Sequence, residues 1–214
     1  MKNFFLFFAV LFCLGKAVYA QTTLGVKVGA GLAKIAIKDV PEHLNSDIYD
    51  TRASYLGGVS LHHALSGKLG VATELLYELK GTRVKVENDP AGNTLNLHYF
   101  SLPLLAYYEL IPMLRIEFGP QVGYRFAASY ERMEPNAPFT AKDIYDQEWD
   151  IGLSGGLKVY FLKQVSFTAR YVHGFSNVSN IRFTDENGEP TARVKQHNRN
   201  LQLALSYEFS ISKP

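Results

Sequence analysis

The chain has 214 residues, enough for one domain or a small pair, with 22 basic and 20 acidic residues and 13% aromatics. The near balance of charge excludes the basic excess or stripe of a nucleic-acid binder. With 20% charged residues and no low-complexity tract the chain is not disordered, and its single cysteine, Cys13, excludes an internal disulfide or a multi-thiolate metal site.

The N-terminus reads MKNFFLFFAVLFCLGKAVYA: a basic start at Lys2, an apolar run from Phe4 to Gly15 and a small-residue end at Val18-Tyr19-Ala20. This is the pattern of a secretory signal peptide, 1–20, cut after Ala20. The run is too short for a comfortable transmembrane helix, which needs roughly 20 residues. Cys13 lacks the small-residue context of a lipoprotein signal. The remaining domain, 21–214, loses Lys2 and Lys16 and is formally neutral, with no cysteine. Nothing later in the chain is apolar for long enough to form a helical span. That leaves β-strands, which cross a bilayer in about 9–11 residues by alternation.

Eight alternating segments follow in chain order. LGVKVGAGLA (24–33) puts Leu24, Val26, Val28, Ala30 and Leu32 on one face, with Lys27 on the other. SYLGGVSLHHAL (54–65) shows Tyr55, Val59, Leu61 and Leu65. KLGVATELLYELK (68–80) opposes Leu69, Val71, Leu75, Tyr77 and Leu79 to Lys68, Glu74, Glu78 and Lys80. YFSLPLLAYYEL (99–110) opposes Phe100, Leu102, Leu104, Ala106 and Tyr108 to Tyr99, Ser101, Tyr107 and Glu109. LRIEFGPQVGYRF (114–126), continuing to Tyr130, opposes Ile116, Phe118, Val122, Tyr124 and Phe126 to Arg115, Glu117, Gln121 and Arg125. WDIGLSGGLKVYF (149–161), VSFTARYV (165–172) and NLQLALSYEFSI (200–211) repeat the pattern, with Asp150, Lys158, Arg170 and Glu208 on their polar faces. Side chains alternate across a strand, so each segment has one greasy and one polar face. No segment sustains a helical period with caps, and the chain reads as all-β.

The connections alternate in length. Long ones span roughly 34–53, 131–148 and 174–198. An extended hairpin turns at Asp89-Pro90-Ala91-Gly92. Short turns fall at Ser66-Gly67, Ile111-Pro112 and Leu162-Lys163-Gln164. Together these predict an eight-stranded antiparallel up-and-down transmembrane β-barrel, with short periplasmic turns and long extracellular loops. Closure of an even number of strands removes the edges that lipid cannot satisfy. A soluble lipocalin-like periplasmic carrier is the structural competitor, with the greasy face inside.

Three features favour the membrane. The polar parity is rich in small residues (Gly119, Gly123, Ala127, Gly152, Ser154, Gly156, Ala204), as a narrow interior requires. Aromatic residues such as Tyr108, Tyr124, Phe126, Trp149, Phe161, Tyr207 and Phe209 cluster near strand ends, where interfacial girdles sit. The polar-parity charges balance, as a lumen closed by ion pairs demands. The predicted lumen network is Lys27, Glu74, Glu78, Arg115, Glu117, Gln121, Arg125, Lys158, Arg170 and Glu208, with Arg115, Glu117, Gln121 and Arg125 interlocking with Glu74, Glu78, Lys158, Arg170 and Glu208. Lys68, Lys80 and Glu109 read as rim residues. Eight strands leave an interior just wide enough for side chains to fill, so a plugged lumen is expected. Pro103, inside a strand, predicts a bulge or a missing ladder bond.

Three stretches carry a family resemblance. ELLYELKG (74–81), YFSLPLLAYYEL (99–110, with Tyr99, Pro103, Leu104 and Leu105) and FGPQVGY (118–124) resemble strands of the Bacteroidota-type outer-membrane β-barrel family, the porin-family or PorT-like barrels. The resemblance spans essentially the whole exported domain and implies a barrel, not an activity; the PorT-like label implies a link to secretion. Outer-membrane lipid, periplasmic chaperones and the barrel-assembly machinery are the implied partners, the last reading a terminal strand that ends near Phe209.

No cofactor, metal or catalytic set is expected. His62 and His63 are adjacent, so on a strand their rings face opposite ways, and no histidine pair has zinc spacing. Ser60 and His62 share a parity without an acid completing a triad. The expectation is a non-enzymatic outer-membrane barrel with a structural, adhesive or loop-mediated binding role, including an extracellular ligand held by the long loops. Alternatives are a narrow porin or secretion-associated barrel and the soluble carrier.

Overall fold

The computed structural model describes residues 22–38, 49–86, 89–132, 140–179, 182–184, 190–193 and 195–211. The predicted signal peptide, 1–20, lies outside them. Eight long strands make the wall: β1 (Thr22–Lys38), β3 (Arg52–Ser66), β4 (Leu69–Val86), β5 (Asp89–Ile111), β6 (Leu114–Tyr130), β7 (Trp149–Tyr160), β8 (Val165–Gly174) and β11 (Lys195–Ser210). Each pairs antiparallel with its chain neighbour, and β1 pairs with β11 to close the ring. The short β2 (Tyr49–Asp50) lies on β4, β9 (Arg182–Thr184) and β10 (Pro190–Arg193) form a separate hairpin, and α1 (Ala141–Ile144) is a single helical turn.

The register gives the barrel's stagger. Following paired residues from Thr22 through His63, Val71, Ala106, Phe118, Gly155, Tyr171 and Leu201 leads back to β1 at Leu32, ten residues along the strand. For eight strands that shear sets a tilt of roughly 40° and a wall whose interior side chains meet.

The polar face is inside. Lys158 and Glu117 are 0% and 1% exposed, whereas Val28 and Phe118 on the opposite parity are 65% and 57% exposed. A belt of exposed Leu, Val, Ile and aromatic residues therefore encircles the molecule. In water such a surface is costly; in hydrocarbon it matches the solvent. The inverted arrangement of a soluble carrier is absent.

Several boundaries differ from the sequence reading. β1 runs on to Lys38 and β11 begins at Lys195, so parts of the expected loops 34–53 and 174–198 are strand. The β4–β5 hairpin does not turn at Asp89–Gly92. Asp89 already pairs with Val86, so Asp89–Gly92 belongs to β5, and residues 87–88 lie outside the described residues. Gly92 sits at the register shift between Val84 and Val86 with φ 59°, and a Cβ there would meet the Val84 carbonyl oxygen at 2.5 Å. A glycine–proline turn signal thus marks a bulge one step into the strand. The expected turn at Ser66-Gly67 is present, with Gly67 at φ 48°.

Pro103 causes no register shift. The pairing is the same on both sides of it, but Pro103 and Leu102 lack partners on β4, and Leu104 and Leu105 lack partners on β6 opposite Gly119 and Pro120. Of the two expected consequences it is the missing ladder bond that occurs, because proline has no N–H to give.

Candidate functional site

Six inward-facing charged residues, one from each of six wall strands, meet in one ionic chain near the short-turn end, and a histidine from a seventh strand joins them. Glu74 on β4 accepts a bidentate pair of bonds from Arg170 on β8, Nη1 to Oε2 at 2.6 Å and Nη2 to Oε1 at 3.0 Å, and it also pairs with Lys27 on β1. Arg170 Nη2 reaches Glu117 on β6 at 2.8 Å. Glu117 lies 3.6 Å from Lys158 Nζ on β7, which donates to Glu208 on β11 at 2.8 Å. His62 on β3 joins here, its Nε2 3.2 Å from Lys158 Nζ and 3.7 Å from Glu208. Signs alternate along the chain, and the bidentate arginine fork fixes its direction.

A second layer lies toward the long loops. Glu78 accepts from Ser101 at 2.5 Å, Gln121 at 2.9 Å and Gln202 at 2.7 Å, with Lys80 Nζ at 3.2 Å. Lys80 donates to Asp150 at 2.9 Å and lies 4.6 Å above the Tyr99 ring centre. Asn198 donates to Asp150 at 2.9 Å, and Ser154 donates to Gln121 at 2.5 Å. Both carboxylates are buried and both are paired, as a low-dielectric interior requires.

Beyond this layer the inward face changes character. Ile35, Leu95, Leu97, Tyr99, Ala141, Tyr145 and Val178 form an apolar cluster at the long-loop end, every member 2% exposed or less. α1 delivers Ala141, and the residue after it, Tyr145, plugs the mouth. Burial pushes the Tyr145 phenol well above its ordinary range. Arg125 holds this lid from below, donating to the Tyr145 carbonyl and, at 3.4 Å, to that of Gln147.

Of the ten residues expected in the lumen network, Lys27, Glu74, Glu117, Lys158, Arg170 and Glu208 lie in the first layer, and Glu78 and Gln121 in the second. Two do not interlock as expected. Arg115 is a rim residue, half-buried near the short turns, 3.3 Å from Glu109 and 2.7 Å from the Tyr160 hydroxyl. Arg125 is buried but binds loop carbonyls, not a carboxylate. Lys80, read as a rim residue, is 1% exposed at the centre of the second layer. The reading from sequence also missed His62, Asn198 and Gln202 as members, and the apolar lid entirely. Polar parity carried a signal for the first three; nothing local announced the lid.

The arrangement offers packing and charge neutralisation. The Ser60 hydroxyl and His62 Nδ1 have no hydrogen-bond partner, so the two do not form a nucleophile–base pair. Among the described residues no three His, Cys, Asp or Glu side chains converge as metal ligands would.

The fold has solved counterparts. Neisserial surface protein A aligns with a TM-score of 0.50 and 9% identity, over 87% of this chain and 97% of that one. Ail, the attachment invasion locus protein of Yersinia pestis, aligns with a TM-score of 0.48 and 11% identity over 88% and 99%. OprG from Pseudomonas aeruginosa gives 0.45 and 12% over 86% and 95%. Likeness at this level of identity concerns the fold alone. No curated protein matches the sequence. The family model of the outer membrane protein beta-barrel domain matches residues 19–180, most of the chain. With a closed eight-stranded wall, a greasy exterior and this match, the chain belongs to the outer membrane protein β-barrel domain family.

Proposed function

We propose that the protein is a non-enzymatic integral barrel whose lumen is sealed by its own side chains, and that it works as a structural or loop-mediated binding element at the cell surface. The observation that carries this reading is the stack of an ion-paired layer and a hydrogen-bonded polar layer around Glu78, Lys80 and Asp150 beneath an apolar lid. Six charged groups in the first layer cross-link six wall strands, which stiffens the wall and balances the charge of that layer. The surfaces left for recognition are the loops on the far side of the lid.

The Bacteroidota porin-family or PorT-like subgroup, cleavage after Ala20 and delivery by periplasmic chaperones to the barrel-assembly machinery belong to the same proposal. They rest on the residue resemblances and the N-terminal pattern. A porin or secretion-channel role requires a conducting lumen, and the two readings part at that point.

The test is a conductance record of the refolded mature chain in a planar bilayer. Silence is expected, and Glu117→Ala is expected to introduce current noise by removing the carboxylate that bridges Lys158 and Arg170. A steady open channel in the unmodified protein ends the sealed-lumen proposal.

A further inference from the structure

The outward belt has one irregularity at its long-loop border. On β3 to β8 the border is aromatic: Tyr55, Tyr77, Phe126, Tyr124, Trp149 and Tyr171, rings that sit at the headgroup level of a bilayer. On β1 and β11 the outward residues rise through Leu32 and Leu201, 50% and 45% exposed, and then meet Lys34 and Arg199. These two are direct cross-strand partners, which puts their Cα atoms about 5 Å apart on one face. Arg199 is in turn the partner of His173 on β8. Lys195, exposed, follows four residues above Arg199 on the same outward parity.

Two properties separate this pair from an ordinary solvated fringe. Among the described residues neither Lys34 nor Arg199 has a carboxylate in ion-pair range, whereas the six charges of the first interior layer are all ion-paired. Arg199 is also held in place: its Nη1 donates to the Gly174 carbonyl at 2.6 Å and the Asn198 carbonyl at 2.8 Å. A guanidinium anchored by one nitrogen keeps the rest of its planar fork for an outside acceptor. Lys34 beside it is a mobile point charge on a stem that runs along apolar surface.

We infer that Lys34 and Arg199, at the gap in the aromatic border, bind the phosphate of an anionic lipid of the outer leaflet. Long loops face outward in barrels of this kind, so this border meets that leaflet's headgroups. The belt of Leu32, Leu201 and Tyr171 directly below supplies the surface for acyl chains. Charge complementarity at a membrane surface is a sufficient driving force for two adjacent cations with no carboxylate in ion-pair range among the described residues.

The test uses the full refolded chain in neutral detergent, titrated with diphosphoryl lipid A, with retained lipid counted per barrel after gel filtration. One retained lipid is expected. The double variant Lys34→Gln/Arg199→Gln is expected to bind roughly 30-fold more weakly, while Lys34→Arg and a Lys163→Gln control at the short turns bind as the parent does. Heat-modifiable gel migration checks that each variant is folded, and Lys34→Gln alone provides a second, milder reading. Three results would overturn the inference. One is equal retention by the folded double variant. Another is equal retention of the dephosphorylated lipid. The third is displacement of the lipid by millimolar inorganic phosphate, which would mark a free-anion site.

Discussion

The two halves of the lumen solve the same problem by opposite means. Toward the short turns the interior is polar, and every large charge is held by another. Toward the long loops the same inward parity carries Ile35, Leu95 and Leu97, and hydrocarbon packs against hydrocarbon. The first half lies inside the belt, where no water can repair a broken pair. The second stands above it, where ordinary globular packing applies. Charge networks give rigidity at the risk of a large penalty for each missing member. An apolar lid fails locally and more gently.

Breaking the charged half at its hub should have the largest effect. Arg170→Met leaves Glu74 with Lys27 alone and Glu117 sharing Lys158 with Glu208, one buried carboxylate in excess, and is expected to cost about 3–5 kcal/mol, read as a lower urea midpoint for loss of the heat-modifiable band. Adding Glu117→Gln should recover much of this, because Lys27 with Glu74 and Lys158 with Glu208 then balance and the penalty belongs to unpaired charge. If the double variant is worse than the single, the network contributes net attraction and the comparison must be redrawn.

Truncating the lid comes second. Leu97→Ala is expected to cost about 2–4 kcal/mol by cavity formation. The damage should be confined to the upper end: protease cleavage within 131–148 speeds up, while the bilayer record stays silent because the ionic layers still close the lumen. Conductance after lid truncation alone would make the lid the seal.

The rim gives the smallest change. Arg115 and Glu109 are 20% and 28% exposed, so Arg115→Ala should shift stability by less than about 1 kcal/mol, and less still in high salt. A large loss there would extend the cooperative network to the mouth.

How far the sequence was readable follows the same division. Within the belt the environment is uniform on each side of the wall, so a period of two survives and parity alone separated Lys27, Glu74, Glu117 and Lys158 from Leu24, Leu75, Phe118 and Val159. Above the belt both faces are mixed and the alternation fades. Ile35 and Leu97 then look like any apolar residues near a loop, and the true reach of β1, β5 and β11 was missed. α1 is one turn long and carries no periodicity. Lys80 was placed at the rim because a strand's height in the membrane is not written in its own residues; it follows from the stagger of the whole ring. Arg115 and Arg125 show the converse limit. Parity turned them inward correctly, but their partners were set by height: Glu109 and Tyr160 at one end, loop carbonyls at the other. His62 reads from sequence only as half of an adjacent pair that cannot share a metal, because its neighbours Lys158 and Glu208 come from strands far along the chain.

The seam between β1 and β11 has a bearing on timing. It pairs without a shift from Thr23 with Ser210 to Lys38 with Lys195, joining the first wall strand to the last. Until residues 195–210 are in place, the facing edges of β1 and β8 are bare backbone, and Lys27 has no closed interior to belong to. The wall therefore cannot close strand by strand. Closure is one late step, and a block at that step would leave an open ribbon rather than a smaller barrel.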